Sequence, residues 1–210
     1  MSALLVVFGL ALAIPLFFGS WRLALAGLGA QTLLLLAMQL TGPHGEHAGS
    51  ALLLTLDLGL VRGIVTPLLL ARAARRCAAD ALPAELIPGD LLYWVGAAVL
   101  VALGIELGVR LFPGDPVHAA HAATATVEVL VGFCVVAHQR TVLGQAIGML
   151  TIENGAVLFE GLLGSPWPLP IHLGLTAVFA GLLLLVLTFL RGDLDASPAP
   201  VETSPEVEVL

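Results

Sequence analysis

The sequence predicts an all-α fold, a polytopic membrane helix bundle of about seven transmembrane helices, and three observations carry that prediction. Of 210 residues, 59% are hydrophobic and only 11% are charged, with a mean hydropathy of +1.03, whereas a soluble domain is about half apolar and a quarter charged. The apolar residues fall into seven runs separated by Gly, Pro or charge, each near the roughly 20 residues that cross a hydrocarbon core. The arginines collect at alternate ends of those runs, which gives the bundle an orientation.

The first run, near Ala3 to Phe18, lacks the basic leader of a signal peptide and holds Pro15 inside its apolar part, so it reads as a span. The second runs from Leu23 to Leu40. The third, Ala51 to Arg72, contains Asp57, Arg62 and Pro67, and Pro67 should bend it. The fourth, Leu91 to Phe112, contains Glu106, and the fifth, His121 to His138, contains Glu128. The sixth, Val142 to Gly164, contains Glu153 and Glu160, and the seventh runs from Leu169 to Arg191. Trp21, Trp94 and Trp167 fall near span ends, where an indole keeps its ring apolar and its N–H wet. Connections this short leave no room for a separate soluble domain, and no internal repeat is evident.

One side of the bundle receives Arg22, Arg72, Arg75, Arg76, Arg140 and Arg191, and the other only Arg110. The positive-inside rule makes the first side cytoplasmic, with the N-terminus outside and the C-terminus cytoplasmic. After Arg191 an acidic, proline-broken segment, residues 192–210, is too poor in large apolar residues to bury a core and reads as a disordered tail.

Composition also excludes functions. The eight basic residues, all Arg, are dispersed against a net charge of -7, so no phosphate-neutralising footprint marks a nucleic-acid binder. Two cysteines, Cys77 and Cys134, cannot hold an iron-sulfur cluster; any redox metal belongs on another subunit, and no cofactor is expected here. No hydrolase, kinase or dehydrogenase motif appears. H-A-A-H at His118 and His121 and H-G-E-H at His44 and His47 offer two ligands each, which reads as wet or proton-collecting histidines rather than a metal site.

Ionisable groups within spans are expensive, roughly +2.5 to +3.5 kcal/mol for Asp or Arg at a helix centre on insertion scales, and each needs an explanation. Glu153 and Glu160, seven apart, share one helix face, with Glu160 nearer the outside. Together with Glu128, Asp57 and Arg62 they read as a polar, partly hydrated track in which carboxyls exchange protons and the guanidinium, which does not deprotonate, fixes the local potential. Glu106 instead pairs with Arg110 at i+4. For Asp57 a packing role and a functional role are evenly balanced; five residues from Arg62, it should point to a different helix face. Asn154 and Gly155 should loosen the sixth helix into a kink or bulge that hydrates Glu153.

The run V-A-H-Q-R-T-V-L-G-Q-A-I-G-M-L-T-I-E-N-G-A-V-L, Val136 to Leu158, resembles the hydrogenase-4 component E family at its Q-R followed by a helix with E-N-G. S-W-R-L from Ser20 followed by Gln31, R-G-I-V-T-P from Arg62, and T-A-V-F-A in the seventh run are similar to that family's first turn, third helix and last helix, so the likeness covers the chain up to its tail. It departs in the adjacency of Glu153 and Asn154, which in a K-type subunit stand about a turn apart. Arg62 stands where a Lys is usual, Thr176 where an Asp is, and Pro170 lies near an expected Glu.

The resemblance implies a multi-pass subunit of a prokaryotic cytoplasmic (inner) membrane complex related to complex I and to multisubunit cation/proton antiporters. Residues 1–117 would form a four-helix part and residues 118–191 a three-helix part like the K-type and antiporter C-type subunits. The partners would be antiporter-like membrane subunits and a peripheral redox arm, with this chain non-catalytic and contributing to a lateral proton path centred on Glu153. The alternatives are a scaffold that conducts nothing and a stand-alone secondary transporter, the latter disfavoured by the lack of a repeat or substrate motif. Glu153 and Glu128 are expected to be linked through water.

Overall fold

The computed structural model describes residues 2–17, 20–41, 52–53, 55–75, 86–87, 90–162, 177–178, 180–181 and 183–189. They are all-helical, with no strand among them. Helix α1 spans Ser2–Phe17 and α2 Trp21–Leu40. A π-helical stretch, π1 (Thr55–Val65), runs directly into α3 (Thr66–Ala74). Then come α4 (Leu91–Leu111), α5 (Pro116–His138) and α6 (Val142–Leu162). Among the described residues four helices, α2, α4, α5 and α6, are long and apolar enough to cross a membrane. Residues 183–189, within the expected seventh run, are helical. His44, His47, Arg76, Cys77, Trp167, Pro170, Thr176, Arg191 and the acidic segment lie outside the described residues.

Local chemistry sets the helix ends. Pro113 and Gly114, the latter at φ 86°, turn the chain after α4, a conformation glycine adopts without a Cβ penalty. Asp115 then caps α5 by accepting from the backbone N–H groups of Val117 (3.1 Å) and His118 (3.0 Å), and Pro116 takes the first helical position, where no N–H is needed. For that reason α5 begins at Pro116 and not at His121. The hydroxyl of Thr141 accepts from Gly144 N (3.2 Å) at the start of α6. On the same turn, buried Gln139 donates to the Leu86 carbonyl (2.8 Å) and clamps the chain ahead of α4. The glutamine of the Q-R pair is therefore a structural clamp.

Helix α5 packs between α4 and α6, and α2 packs on α1, π1 and α6. Two apolar clusters fill the bundle. One joins Leu25 and Leu28 of α2, Leu70 of α3, Val131 and Val135 of α5, and Leu143 and Ile147 of α6. The other joins Phe8 of α1, Leu35 of α2, Leu58 of π1, Ala125 of α5 and Leu158 of α6.

Close backbone approach seats α4 and α6 on α5. Gly104 and Gly108 are the two buried residues of α4, and a Cβ on Gly108 would fall on the Ala119 carbonyl. Gly132 of α5 and Gly148 of α6 face each other's carbonyls, at 2.8 and 2.9 Å from an added Cβ. Spacing of this small-xxx-small kind lets apolar helices gain van der Waals contact where water supplies no driving force. The rest of α4 leaves large side chains such as Leu92, Val99 and Val109 exposed, a surface more extensive than soluble monomers usually present.

Overpacking this seam has a defined cost. Gly108→Leu should destabilise the chain by about 1–3 kcal/mol. Gly96→Leu on the same helix, where an added Cβ meets nothing within 4 Å, should stay within about 0.5 kcal/mol of the parent. Thermal unfolding of both variants in detergent checks this, and equal effects would mean that α4 is not seated through its glycines.

Candidate functional site

Between the two apolar clusters lies a polar layer about one turn thick. Along α2 the order is Leu28, then Gln31 and Thr32, then Leu35; along α5 it is Val131, Glu128, Ala125; along α6 it is Ile147, then Thr151 and Asn154, then Leu158. Helix periodicity puts these residues on the inward faces, and Gln31, Thr32, Glu128, Thr151 and Asn154 are all buried. Asp57 and Arg62 join them from π1, both buried.

Arg62 is the hub of one half of the layer. Its Nε donates to Asp57 Oδ1 at 3.1 Å, and its Nη1 stands 2.7 Å from Glu153 Oε1. The pairing of Asp57 with Arg62 corrects the expectation that residues five apart point away from each other. That expectation assumed an α-helix; with i→i+5 hydrogen bonds the wider winding of π1 stacks residues five apart, as i and i+4 stack in an α-helix. The Thr66 hydroxyl follows the same spacing, donating to the Val61 carbonyl five residues back (2.8 Å). The π winding ends where Pro67 enters α3. Having no N–H, Pro67 cannot close the backbone ladder there, and the Gly63 carbonyl abuts Gly29 of α2, 2.8 Å from where a Cβ would be.

The bulge expected at Asn154 and Gly155 is absent: α6 is unbroken through both, and the π winding is in π1. Gly155 serves close packing, with its Cβ position 3.0 Å from the Ala125 carbonyl of α5. Asn154 joins α6 to α2: its Nδ2 donates to Gln31 Oε1 (3.4 Å). The Thr32 hydroxyl, which donates to the Leu28 carbonyl (2.9 Å), lies 3.4 Å from Asn154 Oδ1. Gln31 Nε2 in turn donates to the Phe8 carbonyl of α1 (3.2 Å).

Glu128 differs from the other carboxyls. It is 0% exposed, and neither carboxyl oxygen has a hydrogen-bond partner, although the Gln31 amide faces it. The described polar side chains thus run from Glu128 to Gln31 and Asn154. Glu153 is the accessible member, with 24% of its side chain exposed. It lines a cavity of about 340 Å³ between α3, α6 and Val178, Leu183 and Val186, and the other described lining residues are apolar, Leu70, Met149 and Ile152 among them. Ordered water typically makes about three hydrogen bonds, and this wall offers one polar side chain. Glu160 is buried two turns further along α6.

Other charged groups lie away from the layer. Arg110 Nε donates to Glu106 Oε1 at 2.7 Å, both exposed, the i+4 pair the spacing predicts. His118 pairs with Asp115 (2.6 Å) while His121 Nδ1 faces the Val117 carbonyl (2.8 Å), so the two rings do not converge; no metal-ligating cluster occurs among the described residues. The His118 backbone N–H, and then its ring, hold the Asp115 carboxyl below its ordinary pKa, so it is ionised at neutral pH and favours the α5 N-terminus. His138 Nδ1 meets Tyr93 OH at 3.0 Å.

Charge-led reading of the sequence found the layer's ionisable members and missed the roles of Gln31 and Thr32. Polar residues three to four apart from leucines on one face of α2 were the available signal. No protein family, curated protein or solved structure matches the chain.

The ion cluster should respond asymmetrically to neutralisation. Arg62→Gln leaves two inward carboxyls without their cation and should cost about 3–5 kcal/mol, the scale for breaking a buried pair. The double variant Arg62→Gln/Asp57→Asn should recover part of that loss. A double-mutant cycle on thermal unfolding in detergent measures the recovery; strict additivity would show that the pair is not coupled.

Proposed function

We propose that the chain is an integral membrane subunit of an energy-converting, redox-driven ion-pumping complex, and that its polar layer carries protons. In this reading it spans the bilayer about seven times, N-terminus outside and C-terminus cytoplasmic. The observation that supports it is an imbalance: Asp57, Glu128 and Glu153 contribute three carboxyls to the layer against the one guanidinium of Arg62. Net charge at bilayer depth costs a few kcal/mol, so three carboxyls against one cation leave two protons to be held when the layer is neutral. Two protons over three sites give the vacancy that a carrier requires.

Glu153, exposed at the cavity and paired to Arg62, is the central carrier, Glu128 is the buried neighbour, and Glu160 continues the path toward the outer side. Arg62 stays charged and sets which carboxyl ionises. The largely apolar cavity wall means that proton entry requires a conformational step that admits water, the step by which a redox arm would drive the subunit. Resemblance of Val136 to Leu158 to the hydrogenase-4 component E family supplies the partners: antiporter-like membrane subunits and a peripheral arm, in a prokaryotic cytoplasmic membrane.

A second reading, a scaffold without conduction, is favoured by the same contacts seen as ties, since Arg62–Glu153 joins π1 to α6 and Asn154–Gln31 joins α6 to α2. Two measurements separate them. Mild-detergent purification of the tagged chain should recover antiporter-like subunits with an iron-sulfur or [NiFe] subunit; recovery of the chain alone, active alone in liposomes, would favour a stand-alone transporter. In the recovered complex, Glu153→Gln and Glu128→Gln should each lower pumping by roughly 100-fold, the lower end of what a positioned proton-transfer group contributes, with assembly intact. Unchanged pumping would leave the scaffold.

A further inference from the structure

The polar layer holds one carboxyl whose position nothing so far explains. Glu128 lies in the middle of α5, fully buried, both oxygens without a hydrogen bond, a state that costs free energy in either protonation form. The side chain facing it is Gln31, itself 0% exposed. A primary amide has two N–H donors and an oxygen with two lone pairs. Gln31 spends one donor on the Phe8 carbonyl and one lone pair on Asn154 Nδ2. One donor and one lone pair remain, on the side chain that faces Glu128. Both existing bonds are long, 3.2 and 3.4 Å, so the amide is held loosely enough to turn.

We propose that Gln31 is the positioning residue of Glu128, serving both of its protonation states. When Glu128 is the neutral acid, its O–H donates to the free lone pair of Gln31 Oε1. When the proton leaves for another carboxyl of the layer, the carboxylate accepts the spare N–H of Gln31 Nε2. The amide neither gains nor loses a proton; it changes which of its ends meets Glu128. Because Gln31 also bonds the Phe8 carbonyl of α1 and Asn154 of α6, the exchange is transmitted to two helices, and Asn154 is the chain neighbour of Glu153. The other charged groups of the layer are Arg62 and Asp57 on π1 and Glu153 on α6. None of them hydrogen-bonds the Glu128 carboxyl, and among the described residues the Gln31 amide is the polar group that faces it.

The proposal deepens the proton-carrying reading and rests on it only for its functional consequence, so the test reads the Glu128 carboxyl itself. Infrared difference spectra of the purified full chain, compared with Glu128→Gln, identify the protonated Glu128 C=O stretch. Gln31→Met, close in shape and unable to donate or accept, should move that band to higher wavenumber, as for an acid that has lost its hydrogen bond, and leave the Glu153 band in place. Asn154→Ala frees the Gln31 oxygen without touching Glu128, and should move the same band to lower wavenumber, which keeps the test available if Gln31→Met fails to fold. A Glu128 band unmoved by either variant, or a Glu128→Gln difference spectrum with no carboxyl band, overturns the proposal. Normal pumping by Glu128→Gln with the band shifts intact would sink the carrier role and leave the positioning by Gln31 standing.

Discussion

A guanidinium at the middle of an apolar bundle cannot be left without counter-charge, and the rest of this structure is arranged around that requirement. Arg62 has five N–H donors in a fixed fork, and it takes carboxyl groups from two elements, Asp57 on its own π1 and Glu153 on α6. The interior effectively cannot neutralise it by removing its proton. Burial therefore fixes three things together: a carboxyl on α6, a second on π1, and a helix winding that lets the second reach. Wound as an α-helix, Asp57 and Arg62 would face different ways, so the π winding and the ion pair are one feature.

The two apolar clusters give the polar layer its value. Above and below it, Leu, Val, Ala and Phe side chains pack without polar atoms, and any slip of one helix along another would push Glu128, Asn154 or Arg62 into a cluster. Buried polar groups often contribute little net stability, and their best-attested use is to fix register. Here register is also fixed by the glycines, since Gly132 and Gly148 admit only one close approach of α5 to α6. With register secured by packing, the layer need not be the sole glue of the bundle, which frees its carboxyls to be unsatisfied or unevenly charged.

How much of this was legible in the sequence depends on the type of signal. The helices α2, α4, α5 and α6 follow from apolar run length, and the start of α5 moves to Pro116 where capping by Asp115 overrides hydropathy, while α6 begins at Val142 as its run predicts. That Glu128, Asp57 and Arg62 are buried, and Glu153 partly so, follows from their positions within runs. The pairing of Asp57 with Arg62 was not legible, because spacing rules presuppose α-helical winding and no rule reports where a helix widens; Pro67 marked the end of the irregularity without revealing its length. The role of Gly155 was misjudged for a related reason. A glycine beside a polar residue signals either loosened backbone or close approach, and only the facing helix, here Ala125 of α5, decides between them.

The distribution of rigidity then bears on where change can occur. On one side α4, α5 and α6 touch backbone to backbone, and small displacements there create overlaps that packed interiors resist. On the other side π1 has a winding rarely sustained at such length, and its contact with α2 runs through Gly29 and the Gly63 carbonyl. Glu128 and Glu153 are mounted on the rigid side; Asp57 and Arg62 are mounted on the side whose backbone hydrogen bonds are less regular. A change in the winding of π1 moves the fixed positive charge relative to carboxyls that stay in place, and so alters the field at Glu153 without repacking α5 or α6. In the proton-carrying reading proposed above, shifting the one cation of the layer would change where a proton is bound.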